Sequence, residues 1–337
     1  MEFGLFYQLP CGPDQSTVDR YDDMIAEAQV ADGLGFDSIW LAELHFNARF
    51  SVMPSPLLAA AAIASTTSNI KIGTAVNLVS LHHPIRLAEE TATLDILSRG
   101  RAIFGIGRGS NPSHFDGYGI DQTLGRESFR EAVDFILKAW TSEDLTYEGE
   151  YYQAKGLNVV PKPFQKPHPP VYVASNSADT FELVGSMGHN ILVGPLIATI
   201  EGVRSGLDRY RNELSKQGYD PAQARINLAL PTYVAADAGQ AGSEMKTTVD
   251  AYLDTLRSNN RGRGRGSSRA DVLDYDVVYD EFGIIGDPER CVERLHHFID
   301  LFAPQEIMCW FNMGGTMSYQ QVKTSMELFA KEVMPHF

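Results

Sequence analysis

The stretch from Ile70 to Gly109 limits the available folds most. Ile70–Val76 (IKIGTAV) is a short apolar run rich in β-branched residues and bounded by Asn69 and Asn77, the pattern of a buried strand. Pro84 suits the first turn of a helix, where its missing N–H costs nothing. Ile85, Ala88, Leu94 and Leu97 recur at helical spacing, and Gly100 supplies a C-cap. Arg101–Ile106 reads as a second buried strand running into Gly105-Ile106-Gly107-Arg108-Gly109. Strand, helix and strand in such a short stretch make a βαβ unit, whose strands lie parallel in one sheet with a right-handed crossover.

The same alternation continues in both directions. Strands are expected at Glu2–Gln8, Phe36–Ala42, Ile70–Val76, Arg101–Ile106, Val171–Ala174, Asn190–Val193, Asn227–Ala235 and Glu306–Phe311. Helices are expected at Thr17–Leu34, Pro54–Ser68, Arg126–Trp140, Thr199–Lys216, Gly239–Arg257, Pro288–Phe302 and Tyr319–Val333, with another opening at Ala178. Asn111-Pro112 reads as part of a loop. Tyr147–Gln153 and Leu157–Pro161 read as a hairpin insertion, and the glycine-rich Asn259–Ser268 as a mobile loop after the seventh strand. Eight strands alternating with helices predict one α/β domain, a (β/α)8 TIM barrel over residues 1–337, with its site at the carboxyl ends of the strands.

Charge and cysteine usage narrow the function. Lys plus Arg number 28 against 43 Asp plus Glu, a net charge of −15, which argues against general nucleic-acid binding. Such a chain suits an enzyme that catches an anionic ligand with a few local arginines. Cys11, Cys291 and Cys309 form no C-x-x-C pair, so neither a disulfide framework nor a metal site is expected. Met1-Glu2-Phe3 leads straight into a strand and no apolar run is long enough to span a bilayer, so a cytoplasmic protein is expected.

Several polar residues fall at strand ends: His45, Asn77, Arg108, Ser175-Asn176-Ser177 and Asn312. Hydroxyls at one strand end and an arginine at another are what a phosphate monoester needs, donors plus a fixed positive fork. By position alone, Arg108 is equally a solvated loop arginine. The glycine run around it lacks the full dinucleotide-binding fingerprint, and Asn111-Pro112 follows it, so a Rossmann site is rejected. Phe6, Leu44, Gly107, Pro195 and Phe311 are expected to line the pocket, and their apolar character points to a hydrophobic substrate.

Specific motifs then add a resemblance. They are Gly35-Phe36-Asp37 with Trp40, Glu43-Leu44-His45-Phe46, Gly73-Thr74-Ala75 and His83-Pro84-Ile85-Arg86. Further along come Leu94-Asp95, Ser98-Arg99-Gly100-Arg101, Phe104-Gly105, Arg108-Gly109, Pro170–Ala174, Gly286–Cys291 and Val333-Met334-Pro335. In this order they resemble the bacterial luciferase-like family of flavin-dependent monooxygenases, and within it the luciferase α-type subunit.

The resemblance implies an oxygenase that takes reduced FMN from a separate flavin reductase and reacts it with O2. The resulting C4a-peroxyflavin would oxygenate a hydrophobic small-molecule substrate. It implies a flavin phosphate held by Arg108, Arg126, Ser177 and Thr180, with Asn176 contributing backbone. It also implies a non-proline cis peptide at Ala75-Val76 beneath the flavin ring, and a homodimer closed through the second and third helices.

His45 carries two readings. It is an acid or base on the flavin adduct, or an interface residue bonded to Glu89 or Glu90 of the third helix. Leu44 stands where the family has a histidine. His114 is a second acid–base candidate, whereas His82-His83 and the Arg261, Arg263, Arg265 run read as structural and loop residues. Two alternative functions stay open: a deazaflavin-dependent oxidoreductase of the same fold, and a non-catalytic flavin-binding subunit of the luciferase β type.

Overall fold

The computed structural model describes residues 1–196, 198–261 and 269–337. Eight parallel strands close on themselves: β1 (Glu2–Tyr7), β2 (Ser38–Leu41), β3 (Lys71–Thr74), β4 (Ala102–Gly107), β5 (Val171–Ala174), β6 (Asn190–Val193), β7 (Ile226–Val234) and β8 (Glu306–Trp310). Each pairs with its sequence neighbour, and β8 pairs with β1 in the register Leu5↔Cys309, which shuts the ring. Among the described residues, the longer helices around it are α1 (Thr17–Leu34), α2 (Pro56–Thr66), α3 (Pro84–Leu97), α4 (Pro112–Tyr118), α5 (Gln122–Thr141), α6 (Ala178–Met187), α7 (Ile200–Lys216), α8 (Ala238–Arg261), α9 (Pro288–Phe302) and α10 (Tyr319–Glu332). The TIM barrel expected from the strand–helix alternation is therefore the observed fold.

Alternation along each strand divides the apolar residues into two cores. Outward-facing Phe3, Ile39, Ile72, Phe104, Val173 and Ile191 pack on the helices. Trp40, Ile103, Tyr172, Leu192, Ala229 and Met308 fill the barrel interior, with Phe6, Ala75, Val76 and Ala174 above them toward the carboxyl ends.

Local boundaries differ where side chains outvote periodicity. The third strand stops at Thr74 instead of Val76, and pairing against β4 resumes at Asn77–Leu78; the Ala75–Val76 peptide between them is cis. Residues 112–118, expected as loop, form α4, because Asn111 caps Ser113 N–H, Pro112 opens the helix and Gly119 closes it at φ 67°. The hairpin pairs Leu145–Glu148 with Gln153–Leu157, so 149–152 is the turn and not strand. Glu131 fixes that turn by accepting from Glu150, Tyr151 and Tyr152 N–H at 3.0, 3.0 and 2.7 Å. The sequence reading also missed a strand at Ile284–Gly286, which extends the sheet beside β7. Of the expected loop at 259–268, Asn259–Arg261 continue α8 and the remainder lies outside the described residues.

At the amino end of the barrel the Glu306 carboxyl is enclosed. Glu306 accepts from Trp40 Nε1 at 2.7 Å, Asn227 Nδ2 at 2.6 Å and the Ser38 hydroxyl. Burial pushes its pKa up to about 7 despite these donors. The unfolded chain thus ionises near the ordinary carboxylate range while the folded one holds its proton, so stability falls as pH rises from about 4.5 to about 7 and then levels off. Glu306→Gln, which carries no titrating proton, is expected to remove about 3 kcal/mol of that fall. Denaturant titrations at pH 5 and pH 8 test this; an unchanged pH dependence would show that Glu306 is not its source.

Candidate active site

Adjacent strands bring the expected anion-binding groups to one corner of the carboxyl-terminal mouth. Arg108 follows β4, and Ser177 and Thr180 lie between β5 and the first turn of α6. Arg108 Nη2 donates to Thr180 Oγ1 at 2.6 Å and to Asp179 Oδ2 at 2.9 Å. The Ser177 hydroxyl is 2.6 Å from both Asp179 Oδ1 and Thr180 Oγ1. Hydrogen bonds from Ser177 and Arg108 hold the Asp179 carboxyl below its usual range. Asn176 Oδ1 accepts from Gly194 N–H at 3.1 Å, tying the ends of β5 and β6 together. Arg126 does not join this hydrogen-bonded corner: it is exposed near the amino end of α5 and makes no hydrogen bond or ion pair with any described residue.

Beside the corner, small side chains line one flank of the mouth. Ala42, Ala75, Gly107 and Ala174 occupy successive strand ends. A Cβ on Gly107 would come within 2.7 Å of Val76 Cγ2, so glycine keeps β4 close to the cis Ala75–Val76 segment. Across the barrel the residues are large. Phe6 packs edge-on against Trp310 at 5.2 Å, Trp310 against Tyr252 at 4.9 Å, and Tyr252 stacks on Phe50 at 5.7 Å. Phe311, expected in the pocket, points the other way, against Phe36 and Phe329; Trp310 holds the inward position. A shift of one residue along a strand reverses the face.

A second polar cluster surrounds Glu43. Its Oε1 lies 2.9 Å from His45 Nε2 and 2.7 Å from His82 Nε2, and Oε2 accepts Leu78 N–H at 2.7 Å. Burial pushes the Glu43 carboxyl up, but the hydrogen bonds from both histidines, the His82 charge and Leu78 outweigh it and leave the pKa below the ordinary value. His45 is buried; its backbone N–H donates to His114 Nε2 at 3.3 Å, and His114 Nε2 is also 2.8 Å from Asn111 Nδ2. The glutamate that meets His45 within the chain is therefore Glu43, while Glu90 faces Arg86 at 3.7 Å. The sequence reading gave Glu43 no role of its own and took His82 as structural; the cluster depends on contacts between segments far apart in the chain.

The model of the luciferase-like monooxygenase family matches residues 1–305. The chain belongs to that family. Among luciferase-like relatives, the oxygenase component of a flavin-dependent trigonelline monooxygenase from Acinetobacter baylyi is 30% identical over 350 residues, covering 100% of this chain and 96% of the relative. The crystal structure of the monooxygenase RslO1 from Streptomyces bottropensis superposes with a TM-score of 0.88 at 26% identity, covering 100% of this chain and 99% of the other. The oxygenating constituent of 3,6-diketocamphane monooxygenase from Pseudomonas putida, solved with FMN, shares the fold at a TM-score of 0.84 and 21% identity, over 99% and 98% of the two chains. A coenzyme F420-dependent reductase from Methanopyrus kandleri also shares it, at 0.77 and 20%, over 100% and 99%. Among the described residues no His, Cys, Asp and Glu group could hold a metal, and no helix is long and apolar enough to cross a membrane.

Removing the Glu43 carboxylate would strand two imidazole N–H groups and a backbone N–H in a buried site. Glu43→Ala is expected to cost about 3 kcal/mol of stability, measured by denaturant unfolding. A loss below about 1 kcal/mol would show that water replaces the carboxylate at little cost.

Proposed function

We propose that this chain is the oxygenase component of a two-component, FMN-dependent monooxygenase acting on a hydrophobic organic substrate. The observation that carries the reading is the Arg108–Asp179–Thr180–Ser177 corner beside a flank of small residues. Asp179 places an anion on the Arg108 fork, and its side chain is 69% exposed, free to swing out when a phosphate takes its place. Arg108, Ser177, Thr180 and Asn176 would hold the phosphate end, and Arg126, exposed and without an ion pair among the described residues, would supply the second guanidinium a dianion needs. Ala75, Val76 and Gly107 would lie against the ring, with glycine at 107 required by the 2.7 Å that a Cβ there would leave to Val76 Cγ2.

When bound, reduced FMN supplies an activation of oxygen that protein side chains do not. The chain's own groups would anchor it, keep water away with Phe6, Trp310, Tyr252 and Phe50, and set protonation through His45 and its partners. The flavin would arrive reduced from a separate reductase, in the cytoplasm, with residues 1–337 working as one domain. Leu58 of α2 and Leu97 of α3 are 74% and 59% exposed, which supports a homodimer through those helices.

A deazaflavin-dependent oxidoreductase is the second reading, favoured by the F420-dependent neighbour of the same fold. Rapid mixing of the protein and reduced FMN with oxygenated buffer separates the two. A monooxygenase shows a transient absorbing species before oxidised flavin appears; oxidation at the rate of free flavin, together with tighter binding of a reduced deazaflavin, would overturn the first reading. Arg108→Ala is expected to weaken FMN binding by about 2 kcal/mol, roughly thirtyfold, by fluorescence titration. Unchanged affinity would remove Arg108 from the phosphate site.

A further inference from the structure

Glu43, His45 and Tyr118 form a series of three groups that the phosphate corner does not use. An ionised carboxylate only accepts, so the two contacts at Glu43 Oε1 make Nε2 of both His45 and His82 an N–H donor. A neutral His45 then has its lone pair on Nδ1, and the Tyr118 hydroxyl faces that atom at 3.4 Å. His45 is 6% exposed and Tyr118, at the end of α4, is 47% exposed. The phenol can meet a ligand where the imidazole cannot. The carboxylate end is anchored beside the cis peptide, since Glu43 N–H donates to Val76 O at 3.2 Å. Carboxylate, imidazole and hydroxyl in this order let a buried charge stabilise an imidazolium while the hydroxyl meets the reacting atom.

We propose that the Tyr118 hydroxyl is the proton donor at the mouth of the barrel, with Glu43 and His45 as its positioning residues and His82 tuning them through the shared carboxylate oxygen. This rests on the reading above that the reaction takes place at that mouth. In the donating step the Tyr118 O–H bond breaks toward an anionic oxygen of the bound reactant. The Nδ1 proton of a His45 imidazolium passes to the phenol oxygen, so Tyr118 ends unchanged and His45 ends neutral beside ionised Glu43. Desolvation and the Glu43 charge both raise the Tyr118 pKa, which keeps a proton on the phenol. Burial disfavours the His82 cation, but Glu43 and then Glu90, itself beside Arg86, raise its pKa overall. Because both imidazoles share one oxygen, charge on one disfavours charge on the other. The remaining titratable ring against His45 is His114, edge-on at 5.1 Å.

Two measurements test this. First, the His45 and His82 ring resonances, assigned by their loss in His45→Gln and His82→Gln, are titrated by NMR in the flavin-free protein. His82→Gln is expected to raise the His45 midpoint, and Tyr118→Phe to shift it as well; independent titrations overturn the network. Second, Tyr118→Phe is compared with wild type for FMN affinity and for the pH profile of reoxidation of bound reduced FMN. Unchanged affinity with a proton-dependent phase slowed roughly tenfold or more is expected. An identical pH profile overturns the role of Tyr118 even if the histidines are coupled. Failure of the wild type to bind FMN overturns the cofactor reading instead, and the NMR titration still decides the network.

Discussion

The approach of Thr74 to Gly105 sets the geometry of the mouth. A Cβ on Gly105 would fall 1.7 Å from the Thr74 carbonyl oxygen, so only glycine lets β3 and β4 come this close. The Thr74 hydroxyl takes over the ladder there, donating to Gly105 O at 2.6 Å and accepting Gly105 N–H at 3.1 Å. Immediately beyond lie the cis Ala75–Val76 peptide on one strand and Gly107-Arg108 on the other. The positions of the cis segment and of Arg108 thus both follow from one close contact. A bulkier residue at 105 would move both.

The barrel was legible because its evidence is periodic and repeated. Eight apolar runs separated by capped amphipathic stretches leave few closed alternatives for a chain of this length. Arg108 and Ser177 stood out as strand-end residues and Thr180 only through the family resemblance; they meet because the ends of β4 and β5 lie side by side. What escaped depends on single contacts. Phe311 was assigned to the pocket because the sequence cannot say which of two consecutive aromatics at a strand end faces inward. The hairpin slipped because its turn is fixed by Glu131, a residue on a helix earlier in the chain. The α4 helix escaped although its start and stop were both written in Asn111-Pro112 and Gly119, since a glycine at 117 and only two buried side chains leave no apolar stripe to count.

His45 shows the limit of reading a residue without its neighbours. Its ring is buried and is joined at both nitrogens to other polar groups. Its partners are the less conspicuous residues. Glu43 was quoted only as part of a motif, and Tyr118 sat in an expected loop. Once α4 forms, the phenol is carried to the imidazole edge, 5.1 Å between ring centroids. Local helix formation therefore completes the polar chain.

Glu43 and Glu306 have their pKa values displaced in opposite directions, and the donors explain why. Burial opposes ionisation of both. Glu43 faces two imidazoles, one with its charge favoured, and a backbone N–H aimed at the second oxygen. Glu306 faces a hydroxyl, an indole and an amide, all neutral, and the nearby Arg225 cation is already shared with Glu2 at 2.6 Å. Hydrogen bonds to charged donors are worth roughly twice those to neutral ones, which is enough to decide the sign when the desolvation is similar. The carboxylate whose ionisation is favoured consequently sits at the carboxyl-terminal mouth, and the one whose ionisation is disfavoured sits at the amino end.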